Sequence, residues 1–406
     1  MSNRILVSGA SIAGPALAHW LHRRGAEVTV VEQSPGLRPG GQAVDARGVA
    51  KEVIRRMGLD AAVRAVCTDT AGAHTVDADG NVLETFRAEE DDGDGYISEI
   101  EVLRGDFARV LYDDTCDHVE YVFGDRIAEL SQDADGVDVV FAGGDRRRFD
   151  LVIGADGLHS ALRAMVFGPR EQFVRHLGLV LAFYSVPNEF GLDRWMLDHK
   201  DAGRWAGLRP VHDAREAIAM LSFPAPEFDV DHRDVAAQKR LLREHMDGFG
   251  WQTPRILAHL DDTPDFYLDQ VAQVRMDSWS SGRVGLLGDA AFSASPMSGG
   301  GTGMALVGAY MLAGELAAAD WEPATGFAAY EERMRPYVEA NQEMGRMHVE
   351  MLTAVPDPDA GPAPEPDMEV LMPLIERAVN GPELPDYDGV PDSGPTADPS
   401  AGPPRS

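Results

Sequence analysis

A glycine-rich segment near the start of the chain has the residue types and spacing of a phosphate-binding turn. Residues 9–14 read GASIAG, which matches the dinucleotide fingerprint except that Ser11 takes the place of the middle glycine. Such a turn points the backbone N–H groups of a helix N-terminus at a pyrophosphate. Glu32, 23 residues after Gly9, ends a β-branched run and can accept hydrogen bonds from ribose hydroxyls. The segment predicts a dinucleotide site and leaves NAD and FAD open.

Two later segments also combine an apolar run with a polar, glycine-containing turn. Residues 150–160 read DLVIGADGLHS and are followed by Arg163. Residues 285–303 read GLLGDAAFSASPMSGGGTG and lead into an apolar helical pattern. Each apolar run is typical of a buried parallel strand. The glycine cluster at 299–303 would let backbone approach a flat ring, because no Cβ stands in the way.

These three segments give the chain a close resemblance to a known family. In order and spacing it resembles the single-component (class A) FAD-dependent monooxygenases, the family of para-hydroxybenzoate hydroxylase. Within that family it looks most like the tetracycline-modifying and actinobacterial polyketide hydroxylases. The resemblance covers about residues 3–345. It implies FAD as the cofactor and NAD(P)H as a transient co-substrate.

The resemblance also implies roles for individual residues. Asp289 would hydrogen-bond the ribityl chain, and 301–303 would place a helix N-terminus, with about half a positive charge, beside the flavin pyrimidine. Arg104 is a cation at a predicted helix start, an unfavourable position that indicates a ligand anion nearby. Arg38 would receive the nicotinamide phosphate or be solvated. The residues assigned to FAD are Gly9, Ser11, Ala13, Gly14, Glu32, Gln33, Asp45, Arg47, Arg104, Asp156, Gly288, Asp289, Pro296, Gly301, Thr302 and Gly303.

The reaction implied by the resemblance is hydroxylation of an electron-rich aromatic or polyketide-like small molecule. NAD(P)H would reduce FAD, and O2 would then form a C4a-hydroperoxyflavin that transfers the oxygen. A Baeyer–Villiger reaction, a reductase or dehydrogenase of the same superfamily, and a flavin-binding protein without turnover remain alternatives. No catalytic residue can be assigned from the sequence. Aromatic and Met side chains of a predicted sheet could line the substrate pocket, with about half facing elsewhere because strands alternate: Phe183, Tyr184, Trp195, Trp205, Phe223 and Met220.

The elements that must position these residues predict an α/β fold. A Rossmann-like FAD-binding domain alternates strands with helices, including helical patterns at 50–66 and 303–319. The apolar runs between 173 and 223 lack βαβ spacing and predict a mostly antiparallel substrate-binding sheet, followed by a helical stretch at 234–260. The predicted boundaries are 1–70, 100–170 and 275–345 for the FAD-binding domain, 71–99 and 171–274 for the sheet domain, 346–387 for a C-terminal helical segment and 388–406 for a disordered, acidic, proline-rich tail.

The composition argues against several classes of binding partner. The 406 residues include 36 Lys+Arg and 67 Asp+Glu, a net charge of −31, which disfavours nucleic acid and anionic membrane surfaces. Two cysteines, Cys67 and Cys116, cannot make a disulfide framework or a four-thiolate metal site, and we expect no metal. The apolar run at 5–7 is too short for a signal peptide or a membrane span, so we expect a cytoplasmic protein. The oligomeric state stays open.

Overall fold

The computed structural model describes residues 3–88, 97–228, 234–354 and 368–387, and it confirms the predicted α/β class. The helices of these residues are α1 (Ala13–Arg23), α2 (Val49–Met57), α3 (Asp60–Arg64), α4 (Arg104–Thr115), α5 (Ala161–Val166), α6 (Val235–Met246), α7 (Thr253–Ala258), α8 (Asp289–Phe292), α9 (Gly301–Ala318), α10 (Pro323–Thr353) and α11 (Met368–Asn380). The strands are β1 (Arg4–Ser8), β2 (Glu27–Glu32), β3 (Ala43–Asp45), β4 (Gly72–Val76), β5 (Val82–Arg87), β6 (Glu101–Leu103), β7 (Glu120–Phe123), β8 (Ile127–Gln132), β9 (Val137–Phe141), β10 (Arg146–Phe149), β11 (Leu151–Gly154), β12 (Val174–Pro187), β13 (Trp195–Asp201), β14 (Arg204–Pro210), β15 (Glu216–Pro224), β16 (Tyr267–Val274), β17 (Ser280–Ser281) and β18 (Val284–Leu286).

The first sheet brings the three sequence motifs to one edge. Its strand order is β17-β18-β11-β1-β2-β7, and every pair except β17–β18 is parallel. The central strands are buried apolar runs, as expected where both faces of a parallel sheet are covered. Ser8 lies opposite Gly154, and Gly154 lies opposite Leu286. The three motifs therefore leave the sheet side by side.

Helix α9 is the central helix behind this edge. It is apolar on all sides and almost wholly buried, the pattern of a helix inside a core. It packs against α1, α2 and α10 and begins directly after the glycine cluster. Its N-terminus is thus fixed at the edge where the motifs meet.

A second sheet faces this edge. Its strand order is β16-β12-β15-β14-β13-β4-β5, and every pair except β13–β4 is antiparallel. The hairpin β4–β5 therefore belongs to the same sheet as the strands between 174 and 274. Along β12, Val180, Ala182 and Tyr184 pack in the core that includes α6 and α7 residues. The alternate residues Leu181 and Phe183 point the other way, toward the first sheet.

Helix α10 packs against α9 and also contacts β12 and β14 of the second sheet. Helix α10 is 31 residues long and runs through position 345, where the sequence placed a boundary between segments. Asn341 on α10 donates from Nδ2 to the carbonyl oxygen of Ala378 on α11 at 3.1 Å. Tyr387 lies against Gly314 and donates its hydroxyl to Glu315 Oε1 at 2.6 Å. The predicted disordered tail, 388–406, lies outside the described residues.

Two predicted helical stretches are each divided. The stretch at 50–66 forms α2 and α3, because Gly58 adopts a left-handed conformation (φ 78°) that ends α2. The stretch at 234–260 forms α6 and α7, with Gly248 at φ 67° between them. In both places the helical spacing of hydrophobic residues continues past a glycine that ends the first helix, so the sequence pattern predicts one helix where the structure has two.

Candidate functional site

A cavity of about 1380 Å³ lies between the carboxyl edge of the first sheet and the second sheet. All residues that the resemblance assigned to FAD line it except Gly14 and Gly288, and Arg38 lines it as well. Gly14 has a packing role, because a Cβ there would overlap the carbonyl oxygen of Gly9. Gly288, at φ 63°, makes the turn before Asp289. The structure thus gathers at one cavity residues that are up to about 290 positions apart.

The first glycine turn is held by Glu32. This carboxylate accepts hydrogen bonds from the backbone N–H of Ala10 at 3.0 Å and of Ser34 at 2.9 Å. A carboxylate has about four acceptor positions, so two remain for a ligand hydroxyl. Gly9 itself adopts φ 111°, and its loop contacts Ala155 of the second motif. Glu32 therefore fixes the turn and still faces the cavity.

Arg104 is an unpaired cation in the cavity wall. It is the first residue of α4, half-buried, and within the described residues its guanidinium makes no hydrogen bond or ion pair. Burial lowers its pKa, and the neighbouring Arg38 lowers it further. Two cations and a positive helix end thus lie together with no protein anion bonded to Arg104. A pyrophosphate would supply the missing negative charge.

Asp289 faces the same cavity. Its side chain is accessible from the cavity, yet surrounding protein desolvates the carboxyl and raises its pKa, while Ser293 and Arg104 act in the opposite direction. Gly301 follows at the start of α9, and a Cβ built there meets no protein atom within 4 Å. An acceptor and an open helix N-terminus thus line the same cavity.

A charge cluster joins the two-stranded β3–β6 ribbon to the second sheet. Asp45 pairs with Arg47 at 2.9 Å and lies opposite Glu101 in the β3–β6 ribbon. Glu101 is 3% exposed and accepts from Thr68, Thr70 and Arg209 of β14. Burial raises the pKa of Asp45, with Arg47 opposing it, whereas the cationic and hydroxyl partners of Glu101 outweigh its burial and lower its pKa. The sequence did not identify Glu101 or Arg209.

The second motif is held in place by its own hydrogen bonds and also lines the cavity. Asp156 accepts from Ser160 Oγ at 2.5 Å and from the N–H of Leu162 at 3.1 Å, which stabilises the start of α5. Burial raises the pKa of this carboxyl against those two hydrogen bonds. Arg163, 1% exposed, donates to the carbonyl oxygen of Ala290 at 2.8 Å and so ties this motif to the third.

The opposite wall of the cavity is apolar and partly aromatic. Of the six candidate side chains, Phe183, Trp205 and Met220 line it, together with Leu181 and Met196. Tyr184 and Phe223 pack on the other face of the sheet. Trp195 stacks on His74, with ring centroids 4.3 Å apart, and does not line the cavity. Three of the six candidate side chains therefore face the cavity and three do not, as the alternation of side chains along strands predicts.

Two histidines complete the wall and were not predicted. His159 Nε2 lies 2.7 Å from Asp269 Oδ2, and His348 Nδ1 lies 2.7 Å from the carbonyl oxygen of Met297. Both contacts join residues more than 50 positions apart, so no local pattern could have indicated them.

Comparison with known proteins assigns the family. A family model described as FAD binding domain matches residues 3–344. A flavin-dependent monooxygenase of Legionella longbeachae is 36% identical, with 95% of this chain and 98% of the relative covered. A Mycobacterium tuberculosis protein described as uncharacterized is 45% identical, with 94% and 99% covered. The crystal structure of tetracycline destructase Tet(55) superposes with a TM-score of 0.83 at 37% identity, covering 95% of this chain and 99% of that one.

The chain belongs to the class A FAD-dependent monooxygenases. It is an oxidoreductase with FAD as cofactor, as the sequence motifs implied. The residues of this structure also fit FAD, because an unpaired arginine and an open helix N-terminus face one cavity. Among the described residues of this monooxygenase, no helix combines the length and the apolar character needed to cross a membrane.

Proposed function

We propose that FAD lies along the carboxyl edge of the first sheet. The turn at 9–14 and Arg104 hold the pyrophosphate, and Glu32 with Gln33 binds the adenosine ribose. Asp289 accepts from the ribityl chain, and Pro296 with 301–303 lies along the isoalloxazine. Asp45 at the end of β3 and Arg47 contact the flavin, Asp156 contacts FAD from the second motif, and Arg38 receives the phosphate of a transient NAD(P)H. The location of these side chains on one cavity supports the assignment.

We further propose that the enzyme hydroxylates an electron-rich aromatic or enol-bearing polyketide-like molecule. Bound FAD supplies electron transfer from NAD(P)H and the activation of O2. The protein must orient the acceptor carbon and exclude water. The observation that carries this proposal is that one cavity joins the cofactor residues to an apolar wall with Phe183 and Trp205. That wall suits a flat fused-ring substrate.

Relatives favour the same class of substrate. The Tet(51) and Tet(55) structures are named as tetracycline destructases, and both are at least 35% identical to this chain. Tetracycline carries a phenol and enols on fused rings. It is therefore the first probe to use.

The test is a turnover screen on the holoenzyme. Tetracycline, a hydroxyanthraquinone, a naphthol and a monocyclic phenol are each incubated with NADPH or NADH under ¹⁸O2. We expect at least one to accelerate NAD(P)H oxidation and to gain one ¹⁸O atom. NMR of the product separates ring hydroxylation from Baeyer–Villiger insertion. Peroxide release without labelled product for every compound contradicts the proposed substrate class, and flavin reduction without O2 consumption favours a reductase.

A further inference from the structure

A histidine lies where the substrate half of the cavity meets the cofactor half. His348 is on α10 and lines the cavity. Its hydrogen-bond partner Met297 follows Pro296, a proposed FAD contact, by one residue. The next residue of the helix, Val349, packs in a cluster with Met297 and Phe183, a side chain of the substrate wall. His348 is thus adjacent to both halves.

The hydrogen bond to Met297 fixes the tautomer of the His348 ring. A carbonyl oxygen can only accept, so Nδ1 carries the hydrogen in this 2.7 Å contact. In the neutral ring Nε2 then holds a lone pair. Within the described residues Nε2 has no hydrogen-bond partner. The ring is therefore oriented by the protein at one nitrogen and free to accept a proton at the other.

Three other titratable groups that line the cavity have hydrogen-bond or ion-pair partners in the protein. His159 directs Nε2 to Asp269. Asp156 accepts two hydrogen bonds from the start of α5, and Asp45 pairs with Arg47. The charged neighbours on the helix of His348, Glu343, Arg346 and Glu350, pair with one another.

From this geometry we infer that His348 is the general base that deprotonates a hydroxyl group of the substrate. The inference rests on the proposed function, since it requires a phenol or enol in the cavity. The substrate O–H bond breaks, the proton moves to Nε2, and the bonding electron pair stays on the substrate oxygen. The resulting phenolate or enolate has more electron density at the adjacent carbon, which accepts the oxygen atom. The imidazolium keeps its Nδ1–H bond to the Met297 carbonyl, now charge-assisted, and returns its proton to solvent.

The test compares His348→Asn with wild-type holoenzyme. The Asn amide can replace Nδ1–H toward Met297, but it cannot accept a proton. With the screened compound that wild type hydroxylates fastest, we expect kcat to fall about 10²- to 10⁴-fold, with KM changed much less. The loss should diminish as the pH rises through the ionisation of the substrate hydroxyl, because an ionised substrate needs no base. A purely structural role would not produce that recovery.

Controls separate this inference from the proposed function. His212→Gln removes an exposed histidine that does not line the cavity, and it should behave as wild type. FAD content and Tm of each variant monitor folding, and His348→Gln is the second variant if the first is unstable. If wild type incorporates no oxygen with any compound, the proposed function fails and the inference falls with it. If wild type is active and both folded His348 variants keep kcat within about threefold at every pH, the base assignment alone is overturned.

Discussion

Arg104 gives the sharpest test of where FAD binds, because its removal should maintain or increase the stability of the apo-protein but weaken FAD binding. In the described residues it is a desolvated cation without a bonded partner, next to Arg38 and at a helix N-terminus. Arg104→Met removes this unfavourable charge. We therefore expect the Tm of the apo-protein to stay constant or rise. Most substitutions of half-buried residues lower it instead.

The effect on FAD should be a large loss of affinity. A hydrogen bond from a guanidinium to a phosphate contributes about 1.5–3 kcal/mol, which corresponds to about a 10- to 150-fold higher Kd. Titration of apo-protein with FAD, followed by flavin fluorescence, measures the change. Arg109→Met is the matched control, because Arg109 lies on the same helix, is 55% exposed and pairs with Asp113. A destabilised apo-protein with unchanged FAD affinity would show that Arg104 is structural and that the pyrophosphate lies elsewhere.

The remaining predictions concern single groups around the same cavity. Gly14→Ala should greatly reduce the yield of folded protein, because its Cβ would overlap a backbone oxygen of the same loop. Gly301→Ala should keep the apo-protein Tm and lower only FAD loading, because a Cβ there meets no protein atom. Thermal melts and absorbance spectra measure both variants. Asp289→Ala should lose its yellow colour on purification, and a fully loaded variant refutes its assignment. Burial raises the pKa of Asp289 in the folded state, so the folded apo-protein binds this proton more tightly than the unfolded chain does. The apo-protein therefore loses stability as the pH rises from about 4 through the higher folded-state pKa. Asp289→Asn should flatten this part of the Tm–pH curve and raise the apo Tm at pH 7. Glu101→Gln should lower the free energy of unfolding by about 3–5 kcal/mol, since it removes the anion at the buried end of the pair with the half-buried Arg209. Glu101→Leu combined with Arg209→Met should recover much of the loss in urea titrations.

The convergence of the proposed cofactor residues on one cavity was predictable because each motif is local. Gly9, Gly154 and Asp289 each lie at or just after the end of an apolar strand, so sequence spacing alone locates them. Parallel strands in one sheet end at one edge, so the three turns had to converge. The family resemblance then distinguished FAD from NAD, which the first turn alone could not do.

The substrate end was predictable only in part. Strand alternation required that about half of the sheet aromatics face the cavity, but it could not specify which half. That depends on which face of the sheet packs against α6 and α7, and this packing places Tyr184 outside and Phe183 inside. Arg209 reaches Glu101 across 108 positions, and His348 reaches Met297 across 51. Contacts of that range leave no periodic signal in the sequence.

The two ends of the cavity therefore differ in how tightly the fold constrains them. At the proposed cofactor end, the loops around Gly9 and Ala155 touch with no space for an added Cβ. At the substrate end, side chains from β12, β14 and β15 of the second sheet and from α10 line the cavity. Side chains there can change shape and charge while the FAD cradle stays intact. His348, which lies at that junction, is accordingly the place to look for chemistry beyond cofactor binding.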